Sequence, residues 1–386
     1  MKLHHPGPGM SRRRLLQVTA GGVAVSAIGL PRLAAAEPYD HTFTWISPRG
    51  TLEVLDDYPY WLGKKLGYFD GMDTDMQPGP SDGTATVKFV DLGQADMGFP
   101  SPGVFSFGLR EGMNLKSVFS LGARDTFSFA FRKGEGPADI RELEGKTILL
   151  GSAAWQSICD PMLLAQGVDL SKITYVEAGW PTWGTALAAG QGDAALSWEG
   201  LRAEWISSGL DFEYWLGVQH SPLPANTYVI RSADLEDPDK VDFLTRYLHG
   251  YAKAMEFAWH NPAAGVQAVF EQFPTLADNL GPELGMMSII QQMYVYRGDM
   301  DKRGGWGWHD MDSWQTFFDL SSQVEGTEPP VATDVCTNDL IAGANDFSSE
   351  EVAAEAAAYE VDADLAAVDA DELRAHMFDQ AIGNAG

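Results

Sequence analysis

Cysteine is almost missing from this chain. Cys159 and Cys336 are the only two, and neither lies in a ligand-spaced cluster of Cys or His, so a structural zinc site is not expected. Two buried thiols or one long-range disulfide both remain open. Basic residues are scarce as well, 26 Lys and Arg against 54 Asp and Glu, for a formal net charge of −28. A surface of that sign repels nucleic acid and anionic lipid. It says little about a pocket, because charges are screened over about 8 to 10 Å and a few local donors can still hold an anion. Long apolar runs are absent too: the stretch Val18 to Leu30 is mild and falls short of the roughly 20 apolar residues that span a bilayer core. Also missing are H-E-x-x-H, G-x-S-x-G, a Walker-type loop and a glycine fingerprint for dinucleotides. Catalysis therefore has no motif to rest on, and neither a cofactor nor a metal is expected.

What the N-terminus does hold is Ser11-Arg12-Arg13-Arg14-Leu15-Leu16-Gln17, then the apolar run, then Ala34-Ala35-Ala36 before Glu37. That order reads as a twin-arginine export signal, residues 1–36, cleaved after Ala36. All 54 acidic residues lie beyond Ala36, while Lys2, Arg12, Arg13, Arg14 and Arg32 lie before it, so the mature chain is more acidic still. No Cys stands near the junction to carry a lipid, so the product is expected free in the periplasm. Its length suits two domains.

An internal echo organises the rest. Gly93-Gln94-Ala95-Asp96 recurs in outline as Gly190-Gln191-Gly192-Asp193, each after an amphipathic stretch (Thr84 to Leu92; Thr182 to Ala189) and before a short apolar run. The pattern predicts a helix ended by Gly, a tight turn, and a buried strand. Strands are also predicted at Thr42 to Ile46, Asp75 to Gln77, Lys146 to Leu150 and Ile173 to Glu177. Two β-loop-helix-β units suggest two α/β lobes. The extended segments Thr126 to Phe131 and Asn226 to Ile230 fit two strands that cross between them.

These features, in their order, resemble one family. The sequence Leu66-Gly67-Tyr68-Phe69, the Pro78-Gly79-Pro80 loop, Gly-Gln-Ala-Asp, Gly145-Lys146-Thr147-Ile148 followed by Gly151-Ser152, and Gly192-Asp193-Ala194 with Trp198-Glu199 are similar to the solute-binding proteins of ABC importers in the SsuA/TauA/THI5-like (NMT1) superfamily. The resemblance covers about residues 42 to 345 and has two departures: Gly200 stands where sulfonate binders usually carry Pro, and Trp155 replaces a smaller or polar residue. It implies an α/β periplasmic binding protein of type II, two α/β lobes joined by a two-strand hinge with the ligand in the interlobe cleft. Lobe I is expected over 37–127, lobe II over 128–228, the return of lobe I over 229–347, and an acidic, Ala-rich helical tail over 348–386. The implied function is delivery of a small organic nitrogen- or sulfur-containing solute, taurine- or sulfonate-like or thiamine pyrimidine precursor-like, by a monomer to an inner-membrane ABC permease. An exported sensor and a pyrimidine-synthesis enzyme on the same fold are the alternatives.

Ligand-binding candidates sit on loops at strand ends, where open α/β sheets bind ligands. From lobe I these are Arg49, which can pair with an anion, Tyr58 and Ser101. From lobe II, Trp155, Trp180 and Trp198 can wall the cleft for a flat ring or an ammonium group, with packing into the lobe core as the plain alternative. Ser152 opens a helix N-terminus suited to a sulfonate or carboxylate, or simply caps it. Glu199 can accept from an amine or stand as a solvated carboxylate at a helix start.

Overall fold

The computed structural model describes residues 42–80 and 83–383. The expected export signal, residues 1–36, and its expected cleavage site lie outside the described residues. Among the described residues, ten strands form two five-stranded mixed sheets. The first holds β1 (Phe43–Ile46), β2 (Thr74–Gln77), β3 (Met97–Gly98), β4 (Leu115–Ser120) and β10 (Thr227–Arg231), in the order β2-β1-β3-β10-β4. The second holds β5 (Phe127–Arg132), β6 (Thr147–Leu150), β7 (Thr174–Glu177), β8 (Ala194–Trp198) and β9 (Phe212–Leu216), in the order β7-β6-β8-β5-β9. The first three strands of each lobe run parallel, and the strand arriving from the other lobe, β10 or β5, is antiparallel to both its neighbours. The chain leaves lobe I through residues 121–126 and returns through 217–226, so two crossings make the hinge.

The repeated Gly-Gln-x-Asp does the same physical work in both lobes. Gly93 (φ +68°) and Gly190 (φ +74°) adopt the left-handed backbone that ends each helix, a conformation cheap only for glycine. Each Asp then binds the equivalent strand of its sheet, β1 or β6: Asp96 accepts from the Thr44 amide at 2.8 Å, and Asp193 from the Thr147 amide at 2.8 Å. The final residue of each crossing strand closes the turn. Arg231 donates to the carbonyls of Val90 and Ala95, both at 3.0 Å, and Arg132 donates to those of Leu187 and Gly192 at 2.9 and 2.7 Å. Each arginine thereby ties the last turn of the helix to the loop that leads into the strand.

Lobe I has the larger core. Trp45 on β1 is fully buried, with Tyr60, Phe99 and Tyr228 packed edge-on around it at 5.7 to 6.1 Å. Over the sheet lies the helix Pro238–His260, started by Pro at its first turn and by Asp237, which accepts from the Asp239 amide. Its stripe Phe243, Leu244, Tyr247, Leu248, Tyr251, Met255 and Ala258 follows the three-to-four spacing of a core-facing helix. The helix Pro274–Arg297 kinks at Gly281 and Pro282, then continues straight toward lobe II. Trp306 and Trp314 are buried in the lobe interior, and the Trp306 indole N–H donates to Glu256 at 2.7 Å. Cys159 and Cys336 are free and buried. No helix among the described residues is long and apolar enough to cross a membrane.

Candidate functional site

Between the lobes lies a cleft of about 760 Å³, its open mouth included, lined from both lobes and from the hinge. The lobes touch around it. A Cβ placed on Gly200 of lobe II would stand 1.9 Å from Oδ1 of Asp56 in lobe I, and one on Gly103 of lobe I would stand 2.3 Å from the Ser157 hydroxyl of lobe II. Gly200, where sulfonate binders usually carry Pro, is thus the residue that lets the helix Glu199–Ser207 press against lobe I.

Lobe I supplies charge. Arg49 follows β1 by a short Ser-Pro turn, at the carboxyl end of the first parallel strand. Its guanidinium is clamped between two carboxylates, Asp56 at 3.1 Å and Asp57 at 2.7 Å. Burial opposes the charge of Arg49, but Asp57 and Asp56 outweigh it and raise its pKa. For Asp56 burial dominates and pushes the carboxyl up, with Arg49 and a hydrogen bond from Trp198 pulling the other way. Tyr296 and Gln292, one turn apart on the helix Pro274–Arg297, complete this wall and are joined at 3.0 Å. Glu204, on the lobe II helix facing Asp56, is lifted to about 8 by burial, with the charge of Asp56 adding to the effect.

Lobe II supplies rings. Trp155 and Trp198 line the cleft, edge to face at 5.9 Å. Behind them Trp183 is buried and donates its indole N–H to the Leu196 carbonyl at 2.8 Å, and Trp205 packs on it at 5.5 Å. Trp198 ends β8, so the strand direction that buries Leu196 also delivers its ring to the cleft. Its indole edge faces Asp56 across the gap and helps to hold that carboxyl's pKa down.

Of the residues singled out in the sequence, Arg49, Ser101, Trp155 and Trp198 line the cleft. Ser101 also caps the helix Pro102–Arg110, accepting from the Val104 amide at 3.3 Å. The other four stand elsewhere. Tyr58 is buried in lobe I, stacked at 6.2 Å on Tyr296, which reaches the cleft in its place. Trp180 is a half-exposed ring stacked on Trp198 at 6.0 Å, supporting the wall from outside. Ser152 makes no capping bond; the α-helix begins only at Gln156, with Trp155 at its N-cap, so a ring and not a set of free amides faces the cleft. Glu199 is buried within lobe II and is not among the residues lining the cleft; its Oε2 accepts from Arg202 at 2.7 Å and its Oε1 has no hydrogen-bond partner. Sequence reasoning missed Asp56, Gln292 and Tyr296. Among the described residues no group of three or more His, Cys, Asp or Glu side chains is placed to hold a metal ion.

Two lobes of like topology, two hinge crossings and a cleft walled by both define the periplasmic binding protein fold, and solved structures of that fold resemble this chain. A protein of Bordetella bronchiseptica RB50 has a TM-score of 0.57 at 17% identity, covering 80% of this chain and 98% of that one. The alkanesulfonate-binding protein SsuA of Xanthomonas axonopodis pv. citri, bound to MOPS, has a TM-score of 0.57 at 13% identity, covering 78% and 99%. A zinc-bound ligand-binding component of an ABC-type import system from Staphylococcus aureus has 0.57 at 14%, covering 78% and 97%. A family model described as NMT1/THI5 like matches residues 56–264, and the chain belongs to that family. None of the curated proteins matches it.

Proposed function

We propose that the chain is the solute-binding component of an ABC importer, working in the periplasm after twin-arginine export, and that its solute is a small, ring-bearing compound with an amino group or another N–H donor. The observation that carries the choice of solute is the clamp on Arg49. One guanidinium lies against two carboxylates, so both of its terminal nitrogens are already in ion pairs and only Nε is left without a partner to meet a sulfonate. Asp56 lines the cleft opposite Trp155 and Trp198. A carboxylate on one side and ring faces on the other suit a protonated amine or an aminopyrimidine. This favours the pyrimidine precursor-like side of the family over the simple alkanesulfonates. The family membership and the fold support the transport role, in which a solute held by one lobe gains contacts with the other only in the closed form, and the permease reads that form. An enzyme of the pyrimidine-synthesis type gains no support from the cysteines: burial pushes the Cys336 thiol up to about 12 and raises that of Cys159.

A thermal-shift panel of aminopyrimidines, quaternary and primary amines, taurine, alkanesulfonates and nitrate tests the reading. A solute at about 100 times its Kd adds about 2.7 kcal/mol of stability, a shift of several degrees. Stabilisation by N–H donors or organic cations is expected. Stabilisation by alkanesulfonates or nitrate alone would overturn the choice of solute.

A further inference from the structure

The C-terminal tail ends on both lobes at once. On lobe I, the helix Ala370–Ala375 packs against Pro274–Arg297. Arg374 donates to the Trp259 carbonyl at 3.3 Å, and Phe378 meets Tyr294 edge-on at 5.3 Å. A few residues later the chain is hydrogen-bonded to lobe II. The Tyr214 amide on β9 donates to the Gln380 carbonyl at 2.8 Å, and the Ile382 amide donates to the Tyr214 carbonyl at 2.8 Å, a parallel bridge on the outer edge of the second sheet. Buried Arg202 adds two bonds, to the Met377 carbonyl at 3.0 Å and to Gln380 Oε1 at 3.3 Å.

We infer that residues 376–383 are a strap that ties the lobes together and holds the receptor's closed form. A tail packed on one lobe would be indifferent to hinge rotation. This one has backbone bonds on lobe II and a ring contact on lobe I only four residues before the bridge ends, so the lobes cannot separate far without breaking one set or the other. It is a third connection in addition to the two hinge crossings. The strap also reaches the site: Arg202, which its carbonyl and amide oxygens hold, pairs with Glu199, the residue after Trp198, whose ring lines the cleft opposite Asp56. Docking of the tail and alignment of the aromatic wall are thereby coupled. Covering the outer edge of β9 has a second effect, since an open edge strand is a template for unwanted pairing.

The inference rests on closure of two lobes and not on which solute is bound, so its test uses the solute-free protein. Cysteines for spin labels are introduced at exposed positions, Leu92→Cys on lobe I and Lys133→Cys on lobe II, where the native thiols are buried and do not compete. Interlobe distances are measured for the full chain, for a chain ending at Ala375, and for Ile382→Pro, which removes a single strap N–H and serves if the shortened chain does not fold. The strap predicts one short, narrow distribution in the full chain and an added longer population in both variants. Distributions that superimpose on that of the full chain would overturn it, and the assignment of solute would stand untouched.

Discussion

Lobe I and lobe II share a sheet order, a repeated turn and even the arginine that closes it, yet they bring opposite chemistry to the cleft. Asp96 with Arg231 and Asp193 with Arg132 are interchangeable in role. Arg49 with Asp56 and Trp155 with Trp198 are not: one wall is a buried charge cluster, the other a layer of indoles backed by more indoles. The scaffold is thus set by local turn chemistry that tolerates duplication, while the ligand is chosen by loops at strand ends that are free to diverge.

The comparison breaks most visibly if the charged wall is disturbed. Arg49→Met leaves Asp56 and Asp57 buried without their cation, and a loss of about 3–5 kcal/mol in denaturant unfolding is expected; a loss under about 1 kcal/mol would mean that the cluster is solvated and not a built wall. No indole of lobe II should matter to stability through charge in this way.

The hinge comes next. Asp125 is buried there, its Oδ1 accepting from the Phe127 amide at 2.9 Å, and burial pushes its carboxyl up to about 7. A carboxyl whose folded pKa is raised favours the folded state when protonated, so its contribution is complete below about pH 4 and is lost as pH rises through about 7. The difference in stability between the wild-type chain and Asp125→Asn should therefore change by on the order of 3 kcal/mol between pH 4 and pH 8, the variant gaining at high pH. A pH-independent difference would show that the group is charged throughout.

Smaller again is the effect at the contact between the lobes. Gly200→Ala raises helix propensity by about 1 kcal/mol, but its methyl would fall on Asp56. Because the solute-free chain is held closed, the clash should cancel the helix gain, so stability changes by less than about 1 kcal/mol while solute affinity drops about tenfold, equivalent to about 1.4 kcal/mol. Unchanged affinity in titration calorimetry would mean that the lobes need not approach this closely to bind.

What could be read from the sequence divides along the same line. The Gly-Gln-x-Asp turns, β1, β6 and the crossing strands were legible because their signals are local: a positive-φ glycine, an Asp beside a strand, alternating apolar residues. Trp155 and Trp198 were legible for the same reason, as rings just beyond strand ends. Asp56 was not, because its role depends on Arg49 seven residues away and on an indole from the other lobe. Glu199 misled because it starts a helix after a cleft residue; the signal against it, Arg202 three positions on, was in plain view as an ordinary helical ion pair. Tyr58 and Tyr296 stack in lobe I, and nothing in the sequence tells which of the two reaches the cleft. The tail reads as acidic and alanine-rich, and its grip on both lobes comes from backbone bonds that composition does not encode.

The central claim is that both lobes hold the solute together, through Asp56 on one side and Trp198 on the other. A double-mutant cycle on Asp56→Asn and Trp198→Phe, titrated calorimetrically with the best solute from the thermal panel, tests it most directly. The account predicts that each substitution weakens binding and that the pair is coupled by about 1 kcal/mol, as expected for residues that face each other across one cleft. Affinity unchanged by either substitution would contradict it.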